Sequence, residues 1–409
     1  MICRMQKIKG ILYNMFYISK ILRRTKSTTW KKRIHSFGYL FKKLNQLGGM
    51  SHGNQIDVYK NQERILCNMI NTINNAKFRI LIETYTFSPD LVGARIRDAL
   101  VEASKRGVEI LFIYDHFGSS KMNNKFLKPL SEDEIRLFAF NPIWPWNRTG
   151  PLLFRDHRKI MIADDEISFC GSMNISLNPG RPFRETVLRI EGPAVWNLLK
   201  VFVESLFETA QKVLNHCEIE YQKYFFDGVI TQVLSSNRHR DITSIQKSIR
   251  LSLKYAKRAC YFTSPYFLPH GTLKKAIIDA AKRGIDVRIL TAGEASDVPL
   301  MRLASCHIYG QFLEAGVRIY ELQNQTLHAK TAAIDGVYAW VGSFNLDHWS
   351  DFRNLEVSVG VIDRCIAKKI EKHFKLDLKN SKEIFLNEWK KRSILTRLVH
   401  LLSYQIMKL

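Results

Sequence analysis

The chain has 409 residues, 46% hydrophobic and 24% charged, which is enough for two domains with substantial cores. Lys and Arg total 62 against 38 Asp and Glu, and a net charge of +24 calls for an anionic partner, either nucleic acid or an anionic membrane. Seven scattered cysteines without a C-x-x-C pair argue against a disulfide framework or a zinc cluster and for a reducing compartment, and no run reaches the ~18 apolar residues of a membrane-spanning helix.

Residues 1–52 form a basic extension. Twelve Lys and Arg and no acidic residue precede Asp57, so half of the net charge lies in the first seventh of the chain. Ile8, Ile11, Leu12, Met15, Phe16, Ile18 and Leu22 recur at helical spacing between Lys and Arg. That pattern suits an organelle transit peptide, a membrane-surface anchor or a disordered basic arm.

The next segments repeat. Residues 76–115 and 256–290 each read as a β-rich run (Ile80–Phe87; Ala259–Phe267), a proline turn, an amphipathic helix and a second strand (Val108–Tyr114; Ile285–Leu290). Both helices end in Lys-Arg-Gly, with Gly107 and Gly284 suited to a left-handed cap. A third match joins Glu134–Phe140 to Val317–Glu321. Such βαβ units predict an α/β fold of two pseudo-symmetric domains, 53–222 and 223–390, each a mainly parallel or mixed sheet flanked by helices. The first copy alone carries an insertion, in which Pro142–Trp146 reads as a rigid aromatic loop suited either to a membrane interface or to packing on its own domain.

The chemistry-bearing residues also repeat in register. From His157 and from His328, Lys follows at +2 (Lys159, Lys330), Asp at +7 (Asp164, Asp335) and Gly-Ser at +14 and +15 (Ser172, Ser343). Asn follows at +17 (Asn174, Asn345) and Glu at +28 (Glu185, Glu356). One His-x-Lys-x4-Asp is weak evidence, but two with matching downstream residues are strong. Alternation places each His and Lys on one side of an extended strand, and a returning strand carries Gly-Ser-x-Asn beside the histidine. Glycine permits close backbone approach, and Ser and Asn offer hydrogen bonds to a substrate.

Such a set suits attack on a phosphodiester. One histidine can serve as nucleophile and the other as acid, then base. The lysines can hold the phosphoryl oxygens, and Glu185 and Glu356 can fix the imidazole tautomers as a triad carboxylate does.

The doubled motif resembles the phospholipase D superfamily over about residues 53–390. Stretches such as GNQIDVYKN, ETYTF, PYFLP and HAKTAAIDGVYAWVGSFNLD are most similar to the short bacterial-type cardiolipin synthases. The resemblance implies one site shared by two domains and a two-step exchange through a phosphohistidine, without metal or cofactor. It also carries the nucleophile onto His157, the acid/base onto His328, and Asp164 and Asp335 into the catalytic set. The implied reaction transfers a phosphatidyl group to a second phosphatidylglycerol with release of glycerol. A lipid hydrolase, another phosphatidyltransferase and a nuclease are the alternatives, with nucleic acid disfavoured by the amphipathic ends. Residues 391–409 form an amphipathic tail, and the expected location is a membrane: the mitochondrial inner membrane in a eukaryote, the cytoplasmic membrane in a bacterium.

Overall fold

The computed structural model describes residues 38–144, 150–178, 180–210, 224–236 and 244–408. The readings made for the basic extension up to residue 37, and for Pro145 and Trp146, therefore fall outside the described residues. Among the described residues, fifteen strands form one continuous sheet whose order displays the repeat. From one edge run Arg136–Phe140, Glu109–Asp115, Arg79–Thr84, Ile160–Ala163, Ile167–Gly171, Val187–Glu191 and Met50–Tyr59. From the other edge, after Ser381–Ile384, run Arg318–Leu322, Asp286–Ala292, Ala259–Thr263, Thr331–Ile334, Tyr338–Gly342, Val357–Ile362 and Val229–Ser235, the same order again. In each half the first three of these strands are parallel and the rest antiparallel.

The two sheets expected from the repeat are thus fused, and strand Met50–Tyr59 does the fusing. Its start pairs with Val229–Ser235 of the second half and its end with Val187–Glu191 of the first. Asn54, buried at the changeover, donates from Nδ2 to Val229 O and Thr231 Oγ1, and its Oδ1 accepts from the N–H of Ala194 at 2.7 Å. That last bond caps helix Ala194–Ala210, so one amide joins both sheets to a core helix.

Local chemistry explains the element boundaries. Helix Leu91–Lys105 begins where the Asp90 carboxylate accepts from the N–H groups of Val92 and Gly93 at 2.9 and 3.0 Å. It ends at Gly107 with φ +88°, and helix Gly271–Lys282 ends at Gly284 with φ +80°. Arg79–Thr84 and Thr331–Ile334 are buried throughout, as strands covered on both faces must be. Each fully buried Ile or Leu there contributes roughly 1.5–3 kcal/mol. The leading strands stop at Thr84 and Thr263 rather than running on to Phe87 and Phe267. The hydroxyls of Thr84 and Ser264 donate to the carbonyls of Thr86 and Tyr266 and turn the chain, after which Phe87 and Phe267 bridge to Ile175 and Leu346.

Two short parallel pairings tie the halves at the centre. Asn354–Leu355 lies against Arg155–Asp156, and Thr326–Leu327 against Phe183–Arg184. At the C-terminus, Ser381–Ile384 adds an antiparallel edge strand to Arg318–Leu322. Helix Ile394–Lys408 then packs along helix Pro299–Glu314. No described helix is long and apolar enough to cross a membrane.

Candidate active site

Each histidine stands just before a central strand, at the end of one of the short pairings between halves. His157 donates its N–H to Leu355 O at 2.9 Å, and His328 donates to Arg184 O at 3.0 Å. These segments pair with the other half, so the sheet ladder begins only at Ile160 and Thr331. The residues after Leu355 and Arg184 are Glu356 and Glu185, and the exchange of segments exchanges the carboxylates. Nδ1 of His157 lies 2.9 and 3.1 Å from the two carboxylate oxygens of Glu356. Nδ1 of His328 lies 2.8 Å from Glu185 Oε1. An Nδ1–H held by a carboxylate leaves Nε2 unprotonated and available for chemistry.

The other motif residues support these pairs in matching ways. Ser172 Oγ donates to Glu185, and Ser343 Oγ to Glu356. The same hydroxyls accept from the N–H groups of Thr186 and Val357 at 2.9 and 3.0 Å, so both serines are committed to orienting the glutamates rather than turned to a substrate. Lys159 Nζ donates to His157 O at 2.6 Å, and Lys330 Nζ to His328 O at 2.7 Å. Both lysines are buried. Oδ1 of Asn174 and Oδ1 of Asn345 are buried without a hydrogen-bond partner among the described residues. The glycines serve the neighbouring strand, because a Cβ on Gly171 would sit 2.3 Å from Thr186 O and one on Gly342 2.3 Å from Val357 O.

Asp164 and Asp335, expected at the reacting centre, stand elsewhere. The carboxylate of Asp164 accepts from the backbone N–H groups of Lys77, Phe78 and Arg79 at 2.8–3.0 Å. Asp335 does the same for Lys257, Arg258 and Ala259 at 2.8–2.9 Å. Each stands at the far end of its motif strand and fastens the start of the adjacent strand. Their φ values of +51° and +53° suit the turn that follows.

The electrostatics separate two sites that the geometry makes alike. Burial, then the cations Lys159 and Lys330, hold His157 well below its ordinary range. Burial pushes its partner Glu356 up to about 8. Burial thus works against charge on both partners. Glu185 is also buried, which works to raise it, but His328, Lys330 and the Ser172 hydroxyl outweigh burial and hold it below the carboxylate range. Burial and mutual repulsion bring Lys159 down to about 7, and burial brings Lys330 to about 8. The charges of one motif thus act on the histidine and lysine of the other, as they must where the two motifs form one site.

Several neighbours carry no repeated motif. The Tyr85 ring meets His157 edge-on at 5.2 Å and lies 5.3 Å from Lys159 Nζ. Phe183 lies 5.4 Å from His328. Arg158, 1% exposed, donates to Ser205 Oγ at 2.6 Å and to Ser236 O at 2.5 Å, with Glu83 at 3.7 Å. Ser236 Oγ in turn accepts from Glu356 N–H at 2.8 Å and donates to Asn354 O at 3.0 Å. A buried guanidinium in the first motif therefore clamps the segment that delivers Glu356 to His157. The second motif has Ala329 at this position, so repetition gave no signal for it.

The profile of a family described as "Cardiolipin synthase, PLD-like domain" matches residues 69–207 and 249–378, one match in each half. The chain belongs to this family. It is a cardiolipin synthase-like phosphatidyltransferase of the phospholipase D type. It is 30% identical over 353 residues to cardiolipin synthase 1 of Bacillus cereus, a match covering 83% of this chain and 69% of that protein. It is 29% identical over 369 residues to the major cardiolipin synthase of Bacillus subtilis, covering 87% and 75%. Among solved structures, phosphatidylserine synthase of Haemophilus influenzae superposes with a TM-score of 0.67 at 15% identity, over 90% of this chain and 97% of that one, and so shares the fold.

Proposed function

We propose that the protein joins two phosphatidylglycerol molecules into cardiolipin and releases glycerol, working at an anionic membrane surface. The observation that carries this reading is the exchanged pair of His–Glu dyads with a lysine beside each. Nε2 of His157, kept neutral by burial and by two adjacent cations, attacks the phosphorus of the first lipid. A P–N bond forms as the P–O bond to glycerol breaks, and His328 supplies the proton that glycerol carries away. His328, now neutral and backed by ionised Glu185, takes the proton from a glycerol hydroxyl of the second lipid. That oxygen attacks phosphorus, and the P–N bond breaks to free His157. Lys159 and Lys330 balance the charge on the non-bridging oxygens in both steps. The unpartnered amide oxygens of Asn174 and Asn345 suit the substrate's glycerol hydroxyls.

The test is incubation of the purified protein with radiolabelled phosphatidylglycerol in detergent micelles. Cardiolipin and free glycerol in equal amounts are the expected products. Phosphatidic acid alone would make the protein a hydrolase and overturn the transfer reaction.

A further inference from the structure

Helix Ile394–Lys408 has the reverse of the polarity expected for a helix lying on a protein. The side it turns inward carries His400 and Ser403, both buried, with Thr396, Tyr404 and Met407 half-buried. Nδ1 of His400 lies 2.8 Å from Arg392 Nη1, and the Tyr404 ring is 4.8 Å from His307. Its outer side carries Ile394, Leu395, Leu398, Val399, Leu402 and Ile406. These fall at i, i+1, i+4, i+5, i+8 and i+12, a single stripe, with Ile394 76%, Leu395 72% and Leu402 62% exposed. A contiguous apolar face of this kind marks an interaction surface.

Charge identifies the occupant. Lys390, Lys391, Arg397 and Lys408 flank the stripe, and no acidic residue follows Glu388. A second copy of the helix would bring like charges together. The chain's own segment 1–37 would do the same, having ten Lys and Arg and no acidic residue. An apolar surface that carries negative charge answers both the stripe and its cations, and that is an anionic lipid bilayer. The helix also abuts the site, because Trp349 Nε1 donates to Met407 O at 3.3 Å. Trp349 belongs to helix His348–Phe352, whose Ser350 Oγ accepts from the N–H of Asn345 at 3.1 Å.

We propose that helix Ile394–Lys408 lies in the headgroup layer of an anionic membrane and holds the second motif's Asn345 loop against it. This rests on the phospholipid reading of the site and names the surface through which that substrate is met. The experiment is sedimentation of the full-length protein with vesicles of phosphatidylglycerol or of phosphatidylcholine. The exposed pair Leu398→Gln/Leu402→Gln should weaken binding to phosphatidylglycerol vesicles by roughly tenfold. Lys391→Gln/Arg397→Gln should weaken it on those vesicles and leave binding to phosphatidylcholine unchanged. Both variants should keep wild-type turnover of phosphatidylglycerol in detergent micelles. Undiminished vesicle binding by the leucine variant overturns the proposal. So does a dimer in the wild type that becomes a monomer in that variant while vesicle binding persists, since the occupant is then a second copy. Absence of micellar turnover in the wild type would instead overturn the synthase reaction and leave the vesicle result standing.

Discussion

Nδ1 of His157 is 2.9 Å from a carboxylate oxygen of Glu356, a residue 199 positions further along the chain and in the other half of the molecule. His328 and Glu185 make the reciprocal bond at 2.8 Å. If these bonds set the tautomer and stabilise the imidazolium, Glu356→Gln and Glu185→Gln should each lower kcat/KM by on the order of 10²–10⁴-fold without unfolding the protein. Steady-state assays beside thermal melts check this, and near-normal turnover in either variant would separate the dyads from catalysis.

The proposed nucleophile can be trapped. His328→Asn lacks the base that resolves the intermediate. With a p-nitrophenyl phosphodiester lipid, whose leaving group needs no proton, it should release a burst of about one p-nitrophenolate per chain and then stall. Mass spectrometry should find the adduct on His157, and His157→Asn should give neither burst nor adduct. An adduct on His328 in the His157 variant would reverse the two roles.

The lysines set the alkaline limit. Burial and the repulsion from Lys330 bring Lys159 to about 7, and burial brings Lys330 to about 8. Raising the pH through this window removes the cations proposed to hold the phosphoryl oxygens, so kcat/KM should fall between about pH 7 and 8. A bound phosphodiester favours the charged lysines, so the fall in kcat should lie at higher pH. Coincident limbs in the two profiles would show that the lysines do not meet the phosphate.

Asp164 and Asp335 call for a different outcome. Asp164→Ala or Asp335→Ala strips three backbone N–H groups of their acceptor and should cost about 1–3 kcal/mol of stability. The folded fraction should retain most of its kcat. Denaturant titration and activity at low temperature distinguish this from a catalytic role, which would abolish kcat in stable protein.

Arg158→Met leaves Glu83 buried without its cation and should destabilise the fold by about 3–5 kcal/mol. Glu83→Gln/Arg158→Met should recover part of that stability but not the activity, since the guanidinium bond to Ser236 O is still missing. Equal recovery of both would confine Arg158 to stability.

The candidate site was legible in the sequence because the chain states its residues twice. His, Lys, Ser, Asn and Glu recur at the same offsets, and coincidence does not survive a second copy. Repetition also misled, since it marks whatever both halves need to fold, and Asp164 and Asp335 are needed for strand docking. The crossing of the carboxylates was hidden. An offset of +28 fits a pairing within a half as well as one between halves, and the choice is made by two-residue strand pairs too short to leave a pattern. Arg158, Tyr85 and Phe183 were invisible for the opposite reason. They belong to one half only, so repetition carried no mark of them. The fused sheet rests on the two-sided pairing of strand Met50–Tyr59, with Asn54 at its changeover, which no periodicity encodes.

The short pairings of Asn354–Leu355 with Arg155–Asp156 and of Thr326–Leu327 with Phe183–Arg184 have a bearing on biosynthesis. When the first half leaves the ribosome, His157 is already made, but Glu356 has not been translated. The first histidine stays without its carboxylate, and the second histidine does not yet exist. Both His–Glu pairs are therefore completed only when segments of the two halves have docked, and a half-made chain holds neither.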